Sequence, residues 1–544
     1  MQFKISNSKI LNKLGFVVLF LVFIYIQTNS LLILGTYWDD LGYIDTSSII
    51  IEKAKLFILD FNNPYLGEFN YNLEFYGYLL PASIFILSTN SKIQNIINFY
   101  LSSFHNYTPI TENDFLNICR FLIFNFIVFL LLYFLFKIYS NHYSVKYSVM
   151  FLSILILVPS FYGHILFNLK DIPFAIIFFI LNLYLIQNKK FLFYDFYLVK
   201  KHLFIISILL SSLLLIRFSG ILFFLFSISL ILFLNWRLIN KSIFINLIFI
   251  FLNSSIITFL LSPSSWRYPL KWLKGAIETQ FFLDWGGSVL TNGEFLIGKD
   301  LPPTYLFEWL LHKLPINIIF FFIISVFYVL KNRKTLDEFS IFIFIQLFTI
   351  NGAFYILTPI SYDGIRQYLF LIPMFVHFVV LIISKINFLN FSFSIQIIIF
   401  ILSIMYMVNS QKDIYPFNYL YFNEIVEENE ISIECDEVSG CGNWETDYWG
   451  LSGKSIVKNT QDFLNNNEVY FCQPEQIFTD YLKVNNDKNT NSFWLYSIHR
   501  PGKINDLCNK IKFDLTSCEL FYTEKVLLRN TFIDVSHLYK CIKN

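Results

Sequence analysis

Apolar residues in this chain fall into eleven runs, near 13–34, 115–136, 147–163, 171–188, 203–217, 220–236, 243–262, 315–330, 338–358, 367–384 and 388–409. A helix needs about 20 apolar residues to cross the hydrocarbon core of a bilayer. The pattern therefore predicts about eleven transmembrane helices. The fifth and sixth runs are short, and only Arg217, Phe218, Ser219 and Gly220 part them. A further apolar stretch, 76–88, is too short to span and predicts an interfacial or re-entrant helix.

Between the runs, the positive residues alternate in a regular way. Lys4, Lys9 and Lys13 precede the first run. Lys137 and Lys146, then Lys189, Lys190, Lys200 and Lys201, then Arg237 and Lys241, then Lys331, Arg333 and Lys334, then Lys385 occupy loops of the same parity. With eleven crossings they share one side, and the positive-inside bias makes that side the cytoplasm. The first run is longer than a signal-peptide core and no small-residue cleavage site follows it, so it reads as a retained anchor. The outer side then holds a loop at 35–114, a loop at 263–314 and a tail at 410–544.

Composition sharpens this picture. Of 544 residues, 56% are hydrophobic and 15% charged, against about a quarter charged in ordinary soluble domains. With a mean hydropathy of +0.55, a soluble enzyme, a disordered chain and a fibrous protein are excluded. The net charge of +1 is a cancellation. Residues 410–544 hold 13 Lys and Arg against 20 Asp and Glu, a net of −7, which leaves +8 on residues 1–409. No basic stripe suits a nucleic acid. The tail mixes polar residues with short β-like runs at 468–472 and 492–497, as in a small soluble α/β domain. It also holds Cys435, Cys441, Cys472, Cys508, Cys518 and Cys541, with Cys119 alone in a span. Six cysteines in an outer domain predict disulfides, with fifteen pairings open. A metal site is the alternative, without a CxxC pair or clustered His to support it.

In a chain so poor in charge, ionisable residues at outer helix ends are where chemistry is sought. Asp39 and Asp40 follow the first span. They read either as a hydrated helix end or as a general base and cation ligand. Between the third and fourth spans lie His164, Asn168, Lys170, Asp171 and Pro173. Asp171 suits an N-cap and Pro173 the first helical turn; the sharper reading is an acidic ligand beside a Lys for an anionic group. Arg217 stands at a similar level. Asp363-Gly364 is a turn signal before the tenth span, and Arg366 there can grip phosphate bidentately or merely snorkel. The loop 263–314, with His312 and Lys313 at its end, suits either a surface helix or a cover over substrate. No segment has a P-loop or dinucleotide fingerprint, so reaction energy must come from elsewhere.

Four stretches carry a family resemblance: Tyr37-Trp38-Asp39-Asp40; Gly163-His164 through Asn168-Leu169-Lys170-Asp171-Ile172-Pro173; Tyr362-Asp363-Gly364-Ile365-Arg366 with Pro373; and Tyr419-Leu420-Tyr421-Phe422-Asn423 followed by Asp447-Tyr448-Trp449-Gly450. In order and side they resemble lipid-phosphate-dependent glycosyltransferases of the GT-C fold, nearest to bacterial glycosyltransferase family 39, which is similar to protein mannosyltransferases and aminoarabinose lipid A transferases. The resemblance covers residues 30 to about 455. It implies an all-α polytopic membrane protein, with the α/β tail outside, that moves a hexose or pentose from a polyprenyl-phosphate donor to an acceptor at the outer face, with inversion. Lipid A, a protein, a polysaccharide or another lipid remain open as acceptor. Asp39 corresponds to the family's first-loop acid, with Asp40 where many members have Glu. Asp171 corresponds to the second-loop acid, which in some members helps hold a divalent cation such as Mg or Mn. Lys170, Arg217 and Arg366 become the expected phosphate contacts, with His312 and Lys313 behind them, and His164 and Asp363 lie in the substrate region. A lipid or glycan transporter and a glycan polymerase or ligase are the competing readings.

Overall fold

The computed structural model describes residues 18–69, 72–75, 79–104, 107, 109–282, 287–385, 393–427, 430–431, 443–464, 468–472, 474–482, 492–498 and 517–542. Lys4, Lys9 and Lys13, and Cys435, Cys441 and Cys508, lie outside these residues.

The protein is mostly helical, and each of the eleven apolar runs lies on a helix. The first half contains α1 (Val18–Leu31), α2 (Asp40–Leu59), α3 (Leu79–Ser88), α4 (Ser91–Leu101), α5 (Glu112–His142), α6 (Val145–Leu157), α7 (Pro159–Ile165), α8 (Asp171–Gln187), α9 (Lys190–Phe193), α10 (Phe196–Ile216), α11 (Gly220–Leu234) and α12 (Lys241–Leu260). There follow α13 (Pro269–Phe281), a hairpin of β1 (Ser288–Thr291) and β2 (Glu294–Ile297), α14 (Tyr305–Lys313), α15 (Ile316–Asn332), α16 (Glu338–Leu357), a 3-10 turn at Arg366–Leu371, α17 (Ile372–Lys385) and α18 (Phe393–Lys412). The apolar stretch at 76–88 yields α3, a helix of 10 residues.

Among the described residues, α5, α10, α12, α16 and the stretch Arg366–Lys385 are long and apolar enough to cross a membrane, and two bent pairs raise the number to seven. α6 with α7 bends by 79°, and α14 with α15 by 118°. Pro159 opens α7 and Pro315 precedes α15, where a residue with no N–H ends the preceding turn. The chain is thus a membrane-embedded protein; beside these five to seven, Val18–Leu31, Asp171–Gln187, Gly220–Leu234 and Ile397–Lys412 are apolar helices of 10–17 residues among the described ones.

The helices meet at two separate ends. At one, Tyr143 Oη donates to Asp337 Oδ2 at 2.7 Å, Lys189 pairs with Glu338 and donates to Asn235 Oδ1 at 3.2 Å, and Gln187 Nε2 donates to Ile138 O at 2.9 Å. These are all loops predicted to share the positive side. Midway, Asn182, Gln346 and Ser227 join α8, α16 and α11 in a closed ring. Asn182 donates to Gln346 at 2.9 Å, Gln346 to Ser227 at 2.9 Å and Ser227 to Asn182 at 2.8 Å. A ring in which each side chain both donates and accepts is how polar groups join apolar helices. The other end carries α2, the 3-10 turn Asn72–Phe75 and α13, tied together by Lys53 and Glu74. This ion pair is 2.5 Å long and fully buried, with Ser264 Oγ on the same carboxylate at 3.1 Å and Trp272 Nε1 on the Glu74 carbonyl at 3.1 Å.

The tail contains α19 (Gly453–Thr460), α20 (Gln476–Thr479) and a sheet of β3 (Glu468–Phe471), β4 (Ser492–Ile498), β5 (Cys518–Leu528) and β6 (Thr531–Ile542) in the order β3-β4-β6-β5. β3 and β4 run parallel and the other pairs antiparallel, on the two stretches whose patterning suggested strands. Composition changes at 410, but packing continues across it. Gly35 N donates to Leu451 O and Trp38 N to Trp449 O, both at 2.9 Å. One buried cluster contains Tyr37 and Phe167 as well as Tyr419 and Trp449. Cys518 and Cys541 form a disulfide between β5 and β6, Cys472 is also disulfide-bonded, and Cys119 is free and buried. Non-reducing peptide mapping of gently prepared membranes should recover Cys518 and Cys541 in one linked species. Recovering both as free thiols would contradict the pairing.

Candidate functional site

α8 is apolar on all sides, and every residue except Tyr184 and Gln187 is buried. The segment Arg366–Lys385 is similarly enclosed, with nearly all of its residues buried. Helices of this kind occupy a core, and these two start at the same level. Asp171 opens one and Arg366 the other.

The start of α8 is shaped by Asn168. Its Oδ1 accepts from Lys170 N at 3.2 Å and from Asp171 N at 2.9 Å. Asp171 is therefore not the N-cap that its spacing suggested, because Asn168 already satisfies the first amides. The Asp171 carboxylate is free to turn inward. Its Oδ1 accepts from Arg217 Nη2, its Oδ2 from Asn168 Nδ2 at 2.9 Å, and Arg366 Nε lies 3.9 Å from Oδ2. Arg217 reaches it because α10 stops at Ile216 and Arg217 is extended, with φ −146°.

Before Arg366, Asp363 and Gly364 both take left-handed φ, 57° and 60°, as a tight turn demands. A Cβ on Gly364 would also meet Trp309 at 2.8 Å. The turn places Asp363 Oδ2 3.0 Å from Arg366 Nη1, and Asp39 Oδ2 stands 3.3 Å from the same nitrogen. The Arg366 guanidinium carbon lies 5.0 Å from the Tyr362 ring centroid and 4.7 Å from that of Trp449, which adds cation–π attraction. Asp171, Asp363 and Arg366 have side chains only 5%, 6% and 7% exposed, whereas Asp39 is 41% exposed. Asp39 is the carboxylate of this group that faces outward.

The adjacent Asp40 has a different environment. It begins α2, and successive residues at a helix start project about 100° apart. Its carboxylate is buried and accepts from Arg120 Nη2 at 2.5 Å. Arg120 also donates to Asn117 Oδ1. Burial pushes the Asp40 carboxyl above its ordinary range, against the pull of Arg120. The two aspartates expected to act together are thus separated, one into the site and the other into the frame behind it.

Lys170 lies 4.8 Å above the Tyr43 ring, beside this cluster. Burial, opposed by Asp39 and reinforced by Arg217, lowers its ammonium pKa to about 7.

His164 is fully buried in α7. Its Nδ1 accepts from Asn168 Nδ2 at 3.2 Å, which leaves Nε2–H to donate to Tyr448 Oη at 3.1 Å. It therefore sets Asn168, and through it Asp171. α7 can carry it here because Gly163 has no side chain; a Cβ there would stand 2.2 Å from Tyr419 N. His312 and Lys313 are not brought to Arg366. The His312 ring packs edge-on against Trp444 at 4.4 Å, and Lys313 Nζ sits 3.5 Å from the Phe422 ring centroid and donates to Tyr419 O at 3.3 Å. Lys313 thus holds the end of α14 against the segment 419–423, and His312 holds it against Trp444.

Among the described residues no group of three or more His, Cys, Asp or Glu is arranged to hold a metal ion. Asp171, the expected ligand, already gives one oxygen to Arg217 and the other to Asn168. A cation there would have to displace a guanidinium, so these residues do not fit a divalent ion.

Sequence reasoning passed over Arg120, although a single Arg inside an apolar helix is a readable signal. It also left Trp449 and Tyr362 without a role, since an aromatic residue near an interface has many reasons to be there. Neither models of known protein families nor curated proteins show a match to this chain.

Proposed function

We propose that the protein is a membrane glycosyltransferase that moves a sugar from a polyprenyl-phosphate donor to an acceptor at the outer face, without a metal at Asp171. The observation that carries this reading is the half-exposed Asp39 beside Arg366, with Lys170 and Arg217 within the same charge cluster. In the proposed step Asp39 accepts the proton of an acceptor hydroxyl. The acceptor oxygen bonds to the anomeric carbon as that carbon's bond to the phosphate oxygen breaks. The electron pair leaves with the lipid phosphate, toward Lys170, Arg217 and Arg366. One displacement inverts the anomeric centre, and an oxocarbenium-like transition state is stabilised by charges already in place. Because the leaving group is a phosphate, no general acid is required. The glycosyl phosphate bond supplies the energy, in keeping with a sequence that has no nucleotide fingerprint.

We further propose eleven crossings, with a cytoplasmic N-terminus, an extracytoplasmic tail and residence in the inner membrane of a cell envelope. Asp39, Asp171, Arg217 and Arg366 come from four different helix ends that this topology assigns to the outer face, and they meet. Tyr143, Lys189, Asn235 and Asp337–Glu338 come from ends it assigns to the inner face, and they meet among themselves. Both facts support this reading.

The test is to incubate membranes with labelled polyprenyl-phosphate sugars and ask whether a glycan, lipid or protein fraction gains label. Absence of transfer from every donor offered would reject the reading. A pH profile tests the cation separately. Lys170 is charged below about 7 and loses its charge as pH rises, so kcat/KM for the donor should fall above that value. Lys170→Arg, which stays protonated, should flatten the fall between about pH 6 and 9. An identical profile in both forms would remove Lys170 from phosphate binding.

A further inference from the structure

Away from the charge cluster, a cavity of about 400 Å³ lies between α2, α3 and the end of α12, within the size range of small-molecule sites. Its walls include Ile50, Ile51, Ala54, Ala82 and Leu261. Its rim continues onto an exposed apolar surface, where Ile58, Ile86 and Leu260 are 78%, 52% and 64% exposed. Leu260 is the last residue of a helix apolar enough to cross the membrane, so the opening lies at the level where hydrocarbon gives way to headgroups. Trp266 stands there, its Nε1 donating to Phe259 O at 2.9 Å, as interfacial tryptophans do.

Two polar features define the ligand chemistry. Inside, Glu74 is held by Lys53 and Ser264, so the interior suits an apolar chain. At the lining's edge, Lys55 is exposed and has no hydrogen bond or ion pair among the described residues. An apolar pocket opening toward lipid, with a cation at its mouth, suits an anionic amphiphile.

We propose that this cavity holds one acyl chain of an anionic bilayer phospholipid, with the headgroup phosphate on Lys55. The lipid fills the gap between the first outer loop and the start of the 263–314 loop, which the Lys53–Glu74–Ser264 contact closes from below. Apolar burial supplies affinity, and Lys55 supplies selection for negative charge.

The experiment uses the full-length protein in detergent, offered 1-palmitoyl-2-oleoyl phosphatidylglycerol and the matching phosphatidylcholine in equal amounts, with retained lipid counted by native mass spectrometry. One phosphatidylglycerol should be retained, about fivefold over phosphatidylcholine. Ala54→Trp, which fills the cavity, should lower retention about tenfold. Lys55→Glu, a surface change that leaves the walls intact, should erase the preference while total retention persists. No retained lipid, or retention and preference unaltered in the Lys55 variant, would overturn the proposal. So would displacement of phosphatidylglycerol by an equimolar C55 polyprenyl phosphate in the parent protein that is lost in Ala54→Trp, since the cavity would then serve an isoprenoid chain. Lipid retention needs no turnover, so this result stands or falls apart from the transfer reaction.

Discussion

Asp39→Asn is expected to lower kcat for sugar transfer by about 10²–10⁴-fold, the usual contribution of a general base, with expression and membrane insertion unchanged. The carboxylate is 41% exposed, so the amide meets no packing constraint and no buried charge is lost. Arg366 keeps a second carboxylate at 3.0 Å in Asp363, which should hold the guanidinium in place. The measurement is initial-rate transfer from a labelled polyprenyl-phosphate sugar, alongside quantified protein in the membrane fraction. A rate equal to the parent's would remove Asp39 as the base and leave the outward-facing carboxylate without a catalytic assignment.

Arg120→Leu is expected to have the opposite signature, a loss of stability of about 3–5 kcal/mol, the scale for leaving one partner of a buried ion pair alone. Asp40 is only 2% exposed on its side chain and faces Arg120 at 2.5 Å. Without that partner, burial favours the neutral acid. The carboxyl's folded pKa, already raised, would rise further. The variant should then lose more stability as pH rises, because ionising Asp40 at high pH costs more in the folded than in the unfolded chain. Thermal unfolding in detergent at two pH values reads this directly. The pair Asp40→Asn with Arg120→Met should recover much of the loss, because it removes both charges together. If Arg120→Leu leaves the unfolding temperature untouched and abolishes transfer instead, the pair belongs to the chemistry.

These two predictions mark the boundary of what was readable in the primary structure. Hydropathy and charge bias are sums over neighbouring residues. The membrane character, the helices, the acidic tail and its strands at 468–471 and 492–498 could all be read from the amino acids in order. The landmarks of the site were readable in the same way, because an aspartate, lysine or arginine at the end of an apolar run stands out wherever the chain later goes. Asp363-Gly364 belongs with them, since a left-handed turn is a local demand.

The other features depend on contacts between distant residues. Asp39 and Asp40 are indistinguishable as neighbours in a sequence. They differ because α2 begins between them and because Arg120, 80 residues further on, reaches only the second. Asp171 looked like a helix cap, but Asn168 takes the first amides, and α14 turns His312 toward Trp444 and Lys313 toward Phe422. Trp449 enters the site from the tail, where Trp38 N donates to its carbonyl. The bend at Pro159 cuts a run that hydropathy had counted whole. A residue's type and local spacing are properties of a short stretch of chain, while its exposure and its partner are set by whichever remote segment packs against it.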